Sequence, residues 1–362
     1  MVSIIGAGPA GLYSAYLLGK KGYDASIYEQ KKIIGNPVQC TGIVTSKISS
    51  IIRLPENVIQ NKIKNIKINS DNNSAELRLK QPDIVLDRAG FDLFLKQKAL
   101  DAGAGLFTGH KLLDVGKESI MIKNIPKKRK QSVKTDYIIG ADGPLSVIYN
   151  KLNPENPRRY YYGIQVRAEG NFDKETFEVF LGSVCPDFFA WLVPEDSEIA
   201  RIGLASMQNP KLLLKKLLQK LKIKKAMEIQ AGLIPLYDPK IKTNLNNTCL
   251  VGDAAAQIKA STGGGIIQGL TAAKCLASSV ETKCNYEKIW RKELGKDLRL
   301  HLKLRQCLNK FTAKDYDRLV KMINRDKLKN ILENESRDIP SEFLIKMLLA
   351  EPGLVSFAGK LF

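Results

Sequence analysis

Along the first thirty residues the spacing of apolar positions changes twice. Val2-Ser3-Ile4-Ile5 is a β-branched run that stops at Gly6, Leu12 to Leu18 carries apolar residues at helical spacing, and Ala25-Ser26-Ile27-Tyr28 is strand-like again. This pattern predicts strand, turn, helix and strand, a crossover unit of about thirty residues. A loop rich in Gly, Asn and Pro follows over 35–45. Alternating stretches at 62–70 and 75–79 around Asn72-Asn73 predict a hairpin that reads as an insertion. Asp87 can cap a helix over 89–102 whose apolar face is Phe91, Leu93, Phe94, Leu95 and Ala99, with Gly103 as its stop. Tyr137-Ile138-Ile139 then enters Gly140 as a buried strand.

From about 158 to 206 the period is close to two, with strands expected at 160–168, 177–181, 190–193 and 199–205. The stretch 212–223 is helical by spacing. Its leucines 213, 214, 217, 218 and 221 lie largely opposite Lys215, Lys216, Lys220 and Lys222, which suits either a packing helix or a membrane-surface element. Thr248-Cys249-Leu250-Val251 returns to a strand before Gly252-Asp253, and helices dominate from Ile266 onward. The expected organisation is a discontinuous first domain (1–56, 83–157 and 240–285), a sheet-rich substrate domain (57–82 and 158–239) and a C-terminal helical region (286–362). No repeat of solenoid period is visible.

A chain of 362 residues with 44% hydrophobic content is long enough for two packed cores. The six cysteines form no CxxC pair and there are only two histidines, so no metal site is expected, and a reducing cytoplasm is the simplest home. The apolar N-terminus has no basic segment before it and no small-residue cleavage site after it, which argues against a signal peptide. No run of about 18 apolar residues is present, so membrane contact is expected to be peripheral, at the inner face. The formal charge of +20 favours polyanions, among which charge alone does not choose. The basic run Lys127-Lys128-Arg129-Lys130 reads as a solvated hairpin tip, and no nucleic-acid role is expected.

Chemistry enters with Gly6-Ala7-Gly8-Pro9-Ala10-Gly11, a G-x-G-x-x-G placed after a strand and opening a helix, with Glu29 following Gly11 by 18 residues. Gly6 permits the tight turn, Gly8 lets backbone approach a pyrophosphate, and Gly11 lets helix and strand pack closely. The helix N-terminus supplies donors and positive dipole to phosphates, and Glu29 would accept hydrogen bonds from the adenosine ribose. The motif does not itself separate FAD from NAD. Two later segments decide: Tyr137-Ile138-Ile139-Gly140-Ala141-Asp142-Gly143 and Leu250-Val251-Gly252-Asp253 resemble the second and third fingerprints of the glutathione-reductase-like flavoproteins, hydroxylase branch. Thr262-Gly263-Gly264-Gly265-Ile266 opens a further helix, whose N–H groups can face a flavin pyrimidine edge or which starts in an ordinary flexible turn.

More narrowly, the chain resembles the geranylgeranyl reductase family over nearly its whole length. The residues that carry this are Pro37-Val38-Gln39-Cys40-Thr41-Gly42, Leu86-Asp87-Arg88 with Phe91-Asp92, Phe189-Ala190-Trp191-Leu192-Val193-Pro194, the Gly252 to Ile266 segment, and Glu351-Pro352-Gly353 near the end. The chain departs from the family pattern at Phe189, usually tyrosine, at Glu195, often lysine, and at Lys259-Ala260, often containing proline.

The resemblance implies an α/β fold: a glutathione-reductase-like, hydroxylase-type FAD-binding Rossmann domain, an inserted antiparallel-sheet substrate domain and a helical C-terminal region. It places Ala10, Glu29, Cys40, Thr41, Gly42, Arg88, Leu112, Asp253, Gly264, Gly265 and Ile266 around FAD, beside Gly6, Gly8 and Gly11. Asp253 would hold the ribityl chain. Cys40 is the expected catalytic residue, against the plainer reading of a small buried hydrophobe. Phe189, Trp191 and Pro194 would line the substrate cavity, or serve as ordinary sheet core.

The activity implied is saturation of geranylgeranyl C=C bonds in membrane-lipid precursors. Protonation of a trisubstituted alkene builds positive charge on the more substituted carbon, which takes hydride, so a water-poor cavity is needed. Cys40 or an ordered water is the candidate for the proton side. The implied partners are an isoprenoid lipid, an anionic membrane surface and an unidentified electron donor, NAD(P)H or ferredoxin-like. Two other classes remain open: a flavin monooxygenase or halogenase, and a non-catalytic lipid-binding flavoprotein.

Overall fold

A computed structural model describes residues 1–360. The chain divides into two compact units, Met1–Asn36 with Arg88–Arg159 and Pro235–Arg299, and Pro37–Asp87 with Tyr160–Ile234 and the residues from Leu300 onward.

The first unit is built on a six-stranded sheet. Val2–Ile5 lies at its centre, parallel to Ala25–Glu29 on one side and to Tyr137–Gly140 on the other. Gly105–Thr108 and Thr248–Leu250 extend it in parallel, and Asn244–Leu245 closes one edge antiparallel. Parallel neighbours need crossovers, and the helix Pro9–Gly19 is the first of them. It packs against Arg88–Asp101 and Ile266–Thr282. The central strand is buried throughout, which is why Val2 to Ile5 reads as a continuous apolar run instead of an alternating one. A three-stranded antiparallel sheet, His110–Val115, Ser119–Asn124 and Arg129–Lys134, adds Leu112, Ile120 and Ile122 to a core shared with Ile5, Ile138, Ile148 and Leu250. The turn between its last two strands is the exposed basic tip at 127–130.

The second unit holds an eight-stranded sheet. Its order is Lys225–Pro235, Tyr160–Glu169, Ile199–Ser206, Phe189–Pro194, Thr176–Phe180, Ile59–Asn69, Ser74–Leu86 and Ile43–Val44. From Tyr160–Glu169 to Ile43–Val44 the neighbours pair antiparallel, except that Thr176–Phe180 runs parallel to Ile59–Asn69. The helix Pro210–Lys220 packs on Ile199–Ser206 through Leu214 and Leu217, while Leu212 stays 52% exposed.

The boundaries differ from the expectation by a few residues at 83–87, 158–159 and 235–239, and more widely in two places. Residues 37–56 group with the second unit, because Ile43–Val44 pairs with Ser74–Leu86. The C-terminal helices do not form a region of their own: Ala313–Ile323 and Asp326–Asn334 pack on Ser74–Leu86 and belong to the second unit. Helical periodicity shows which face of a helix is apolar but not which sheet covers it. The edge strand Lys225–Pro235 had no signal in the sequence, since its first half is exposed and does not alternate.

Candidate functional site

In the first unit the turn after Val2–Ile5 is held by contacts that exclude side chains. Gly6 has φ +102°, and a Cβ there would stand 2.3 Å from the carbonyl oxygen of Ala141. A Cβ on Gly11 would lie 2.1 Å from the carbonyl oxygen of Gly6. Gly8 is different, because a Cβ there would meet nothing within 4 Å. Internal packing therefore explains Gly6 and Gly11, whereas Gly8 leaves the main chain open on its outer side, as a pyrophosphate requires. Gly8 is also the N-cap of Pro9–Gly19 and no side chain caps that helix, so its dipole end faces outward.

Glu29 is anchored at the end of its strand. One carboxylate oxygen accepts from the Ala7 amide at 2.8 Å and the other from the Lys31 amide at 2.8 Å. The side chain is half-buried and keeps acceptor capacity for a hydroxyl.

Asp253 lies in the short helix Gly252–Ala255, and Gly252 has φ +67°. A Cβ on Gly252 would stand 2.7 Å from that of Ala10, and one on Gly265 would stand 3.1 Å from Asp253 Oδ1. Ala10, Asp253 and Gly265 thus meet where the helix Ile266–Thr282 begins. No side chain caps that helix either. Burial raises the Asp253 carboxyl from the usual 3.8 to about 6, against the opposing charges of Arg88 and Arg158.

Arg158 was not foreseen. Its Nη1 donates to the carbonyls of Pro144 at 2.9 Å and Asp253 at 3.0 Å, its Nη2 to that of Ala254, and its guanidinium stacks on Tyr149 with Cζ 3.5 Å from the ring centroid. Gln257 was missed too: its Oε1 accepts from the Gly252 amide at 2.8 Å and its Nε2 donates to Tyr286 Oη at 3.0 Å. Arg158 has no local sequence signal because the Asp253 and Ala254 carbonyls lie far away in the chain, and Gln257, though only five residues from Gly252, belongs to no recognised motif. Arg88 pairs with Asp92 at 2.8 Å on its own helix. Leu112 is 5% exposed and its side chain is core, so what it can offer a ligand is main chain.

Gly264, also in the first unit, lies just before the helix Ile266–Thr282 with the Lys259 side chain against it, and the remaining predicted residues lie in the second unit. Cys40 is half-buried and its Sγ accepts from the Gly42 amide at 3.4 Å. Cys185 and Cys249 are buried, and desolvation pushes their thiols up to about 12. Thr41 Oγ1 is 2.8 Å from Gln165 Oε1, and the Thr41 carbonyl accepts from Arg201 at 2.5 Å. Phe189 is half-buried and its ring meets that of Trp191 edge-on at 5.9 Å, with Pro194 at the end of the same strand.

Arg201 and Arg167 converge on Glu195, which is 3% exposed. Burial pushes the Glu195 carboxyl up, but the hydrogen bonds from Arg167 and the charge of Arg201 outweigh it and hold it below the ordinary value. The departure from the family pattern at Glu195 is therefore the centre of a buried ion-pair triad.

The family described as NAD(P)-binding Rossmann-like domain matches residues 4–41, the segment that carries the glycine turn and Glu29. The digeranylgeranylglycerophospholipid reductase of Methanothrix thermoacetophila is 28% identical over 90% of this chain and 91% of its own. Digeranylgeranylglycerophospholipid reductase 3 of Methanosphaera stadtmanae is 30% identical over 88% of this chain and 89% of its own. The chain belongs to the digeranylgeranylglycerophospholipid reductase family. The fold of this family member is also that of a geranylgeranyl bacteriochlorophyll reductase-like protein from Thermoplasma acidophilum, at 20% identity, TM-score 0.86 and coverage of 100% and 98%. CmlS, a flavin-dependent halogenase, shares the fold more loosely, with TM-score 0.70, 17% identity and coverage of 98% and 77%. The α/β fold with a Rossmann-type first unit is thus established for this reductase family member by structure and by likeness alike. No helix among the described residues is long and apolar enough to cross a membrane.

Proposed function

We propose that the protein is an FAD-dependent oxidoreductase acting on CH–CH groups, which saturates geranylgeranyl C=C bonds of glycerophospholipid precursors. The observation that carries this reading is the match to the digeranylgeranylglycerophospholipid reductases, which at 88–90% of the chain must run through both compact units.

The residues fit the cofactor. The glycine turn is open only at Gly8, Glu29 offers acceptors for a ribose, and the Asp253 carboxyl lies beside the uncapped start of Ile266–Thr282, where a ribityl hydroxyl can be held. When bound, FAD supplies the hydride for the more substituted alkene carbon. The chain's own work is to bind, to exclude water and to deliver a proton. Cys40 is given the proton side, Thr41 and Gly42 contacts to the cofactor, and Phe189, Trp191 and Pro194 the apolar wall. The electron donor is taken to be NAD(P)H or a ferredoxin-like protein. The +20 charge supports attachment to anionic lipid through the lysine-rich surface, and binding to anionic vesicles should then fall as salt rises.

The test is anaerobic incubation of chemically reduced protein with geranylgeranylated glycerol phosphate lipid, read as mass gained per saturated bond. Full flavin reduction with no mass gain on any prenyl lipid overturns the reductase reading, and product that forms only with oxygen favours a monooxygenase or halogenase. Cys40→Ala keeps FAD and loses about a hundredfold in turnover if the thiol is a positioned acid.

A further inference from the structure

The loop 37–42 rests on the sheet of the second unit, and the side chains beneath it form one connected set. Gln165, Gly203 and Trp191 are partners in register on three neighbouring strands. Gly203 puts no side chain between the other two, and a Cβ there would stand 2.4 Å from that of Gln165. Through this gap Trp191 Nε1 donates to Gln165 Oε1 at 3.1 Å. An indole N–H can only donate, so it decides which end of the amide faces it. Thr41 Oγ1, 2.8 Å from the same oxygen, must therefore be the donor there. Its proton is committed to Gln165, and its lone pairs remain available to a ligand donor. The other end of the amide, Nε2, donates to Gln230 Oε1 at 2.6 Å on the next strand. Gln165 is 3% exposed and Gln230 5%, so these bonds are shielded from water.

The main chain of the loop is held separately. Arg201 Nη1 donates to the Thr41 carbonyl, and Arg201 Nε is fixed by Glu195 at 2.6 Å. The strand Lys225–Pro235 also comes close, since a Cβ on Gly232 would be 3.0 Å from the Gln39 carbonyl oxygen.

We propose that Gln165 is a positioning residue which, with Arg201, fixes the Cys40-Thr41-Gly42 loop and makes the Thr41 hydroxyl a hydrogen-bond acceptor toward the ligand. Because one amide oxygen serves both Thr41 and Trp191, Gln165 also ties the loop to the aromatic strand. Its effect on turnover rests on the reading of Cys40 as the proton-side residue, whereas its effect on the loop does not.

The experiment measures alkylation of Cys40 by iodoacetamide in FAD-loaded protein, by peptide mass mapping, with the exposed Cys284 as internal standard. In Gln165→Leu both acceptor bonds are gone, and Cys40 should react at least about tenfold faster relative to Cys284, since a loop without its anchors opens locally. Gln165→Glu keeps an acceptor for both partners, with the Gln230 amide turned over so that its Nε2 donates to the second carboxylate oxygen, and should restore the original rate. An unchanged rate in Gln165→Leu, or a Gln165→Glu variant as reactive as Gln165→Leu, overturns the proposal. Misfolding would be revealed by alkylation of the buried Cys185 and Cys307. Thr41→Val, which removes the hydroxyl and keeps the bulk, then takes its place, and an unchanged Cys40 rate there overturns the proposal equally. In turnover, Gln165→Leu should lower kcat by up to about a hundredfold with little change in KM, as a misplaced catalytic group does. Full activity in Cys40→Ala would remove the catalytic reading and leave the alkylation result standing, so the two failures are distinguishable.

Discussion

Asp253 in the first unit and Glu195 in the second are carboxylates that each lie near two arginines, yet their carboxyls are shifted in opposite directions. Around Glu195 the arginines spend their donors on the carboxylate itself, Arg167 at 2.7 Å and Arg201 at 2.6 Å. Around Asp253 they do not. Arg158 is committed to three backbone carbonyls and Arg88 to Asp92, so both act on Asp253 through space alone. Desolvation then wins at Asp253 and loses at Glu195. A nearby positive charge does not by itself satisfy a carboxylate; directed donors do. Glu195 is accordingly a group that holds structure, and Asp253 keeps acceptor capacity beside a helix start, which is why it is proposed as a cofactor contact.

The comparison can be broken most severely at Glu195. Glu195→Gln strands two guanidinium groups, one of them on the 7%-exposed Arg201, and should cost about 3–5 kcal/mol in chemical denaturation. Since the folded-state carboxyl lies below its ordinary value, the stabilisation is present above the unfolded value and is lost as pH falls through the folded one. The variant should therefore lose its stability deficit relative to the original protein in acid. A deficit that persists there would assign the triad's contribution to packing.

At Asp253 the sign is reversed. Its carboxyl is raised to about 6, so the folded state holds the proton longer and stability of the FAD-free protein falls as pH rises from about 4 to 6. Two units correspond to about 3 kcal/mol, an upper bound because the residue keeps some accessible surface. Asp253→Asn should flatten this decline in a melting-temperature profile and weaken FAD binding; a decline of undiminished slope would show that another group titrates. Glu29→Ala, at the other end of the expected dinucleotide, should weaken FAD by about 1–3 kcal/mol in a titration followed by flavin fluorescence. The smallest effect belongs to Arg88→Ala. It removes the charge that opposes desolvation more strongly, and should move the Asp253 midpoint upward by about one pH unit or less.

The sequence by itself determined what depends on near neighbours in the chain. The glycine turn with Glu29, the helix starts, the hairpin around Asn72 and the alternating strands after 158 were legible because period and turn chemistry are local. The surroundings of the glycines also match the motif, with Gly6 and Gly11 set against backbone and Gly8 open. What the tertiary structure alone decided were the meetings of residues far apart: Arg158 with the Gly252–Ala255 turn, Glu195 with Arg167 and Arg201, and Gln165 with Thr41 and Trp191. Residues 37–56 belong with the second unit for the same reason, because Ile43 and Val44 pair with Val85 and Ile84 far along the chain. A hydrogen bond across a sheet needs only that two side chains share a face in register, and register comes from the packing of the whole sheet, which no window of sequence contains.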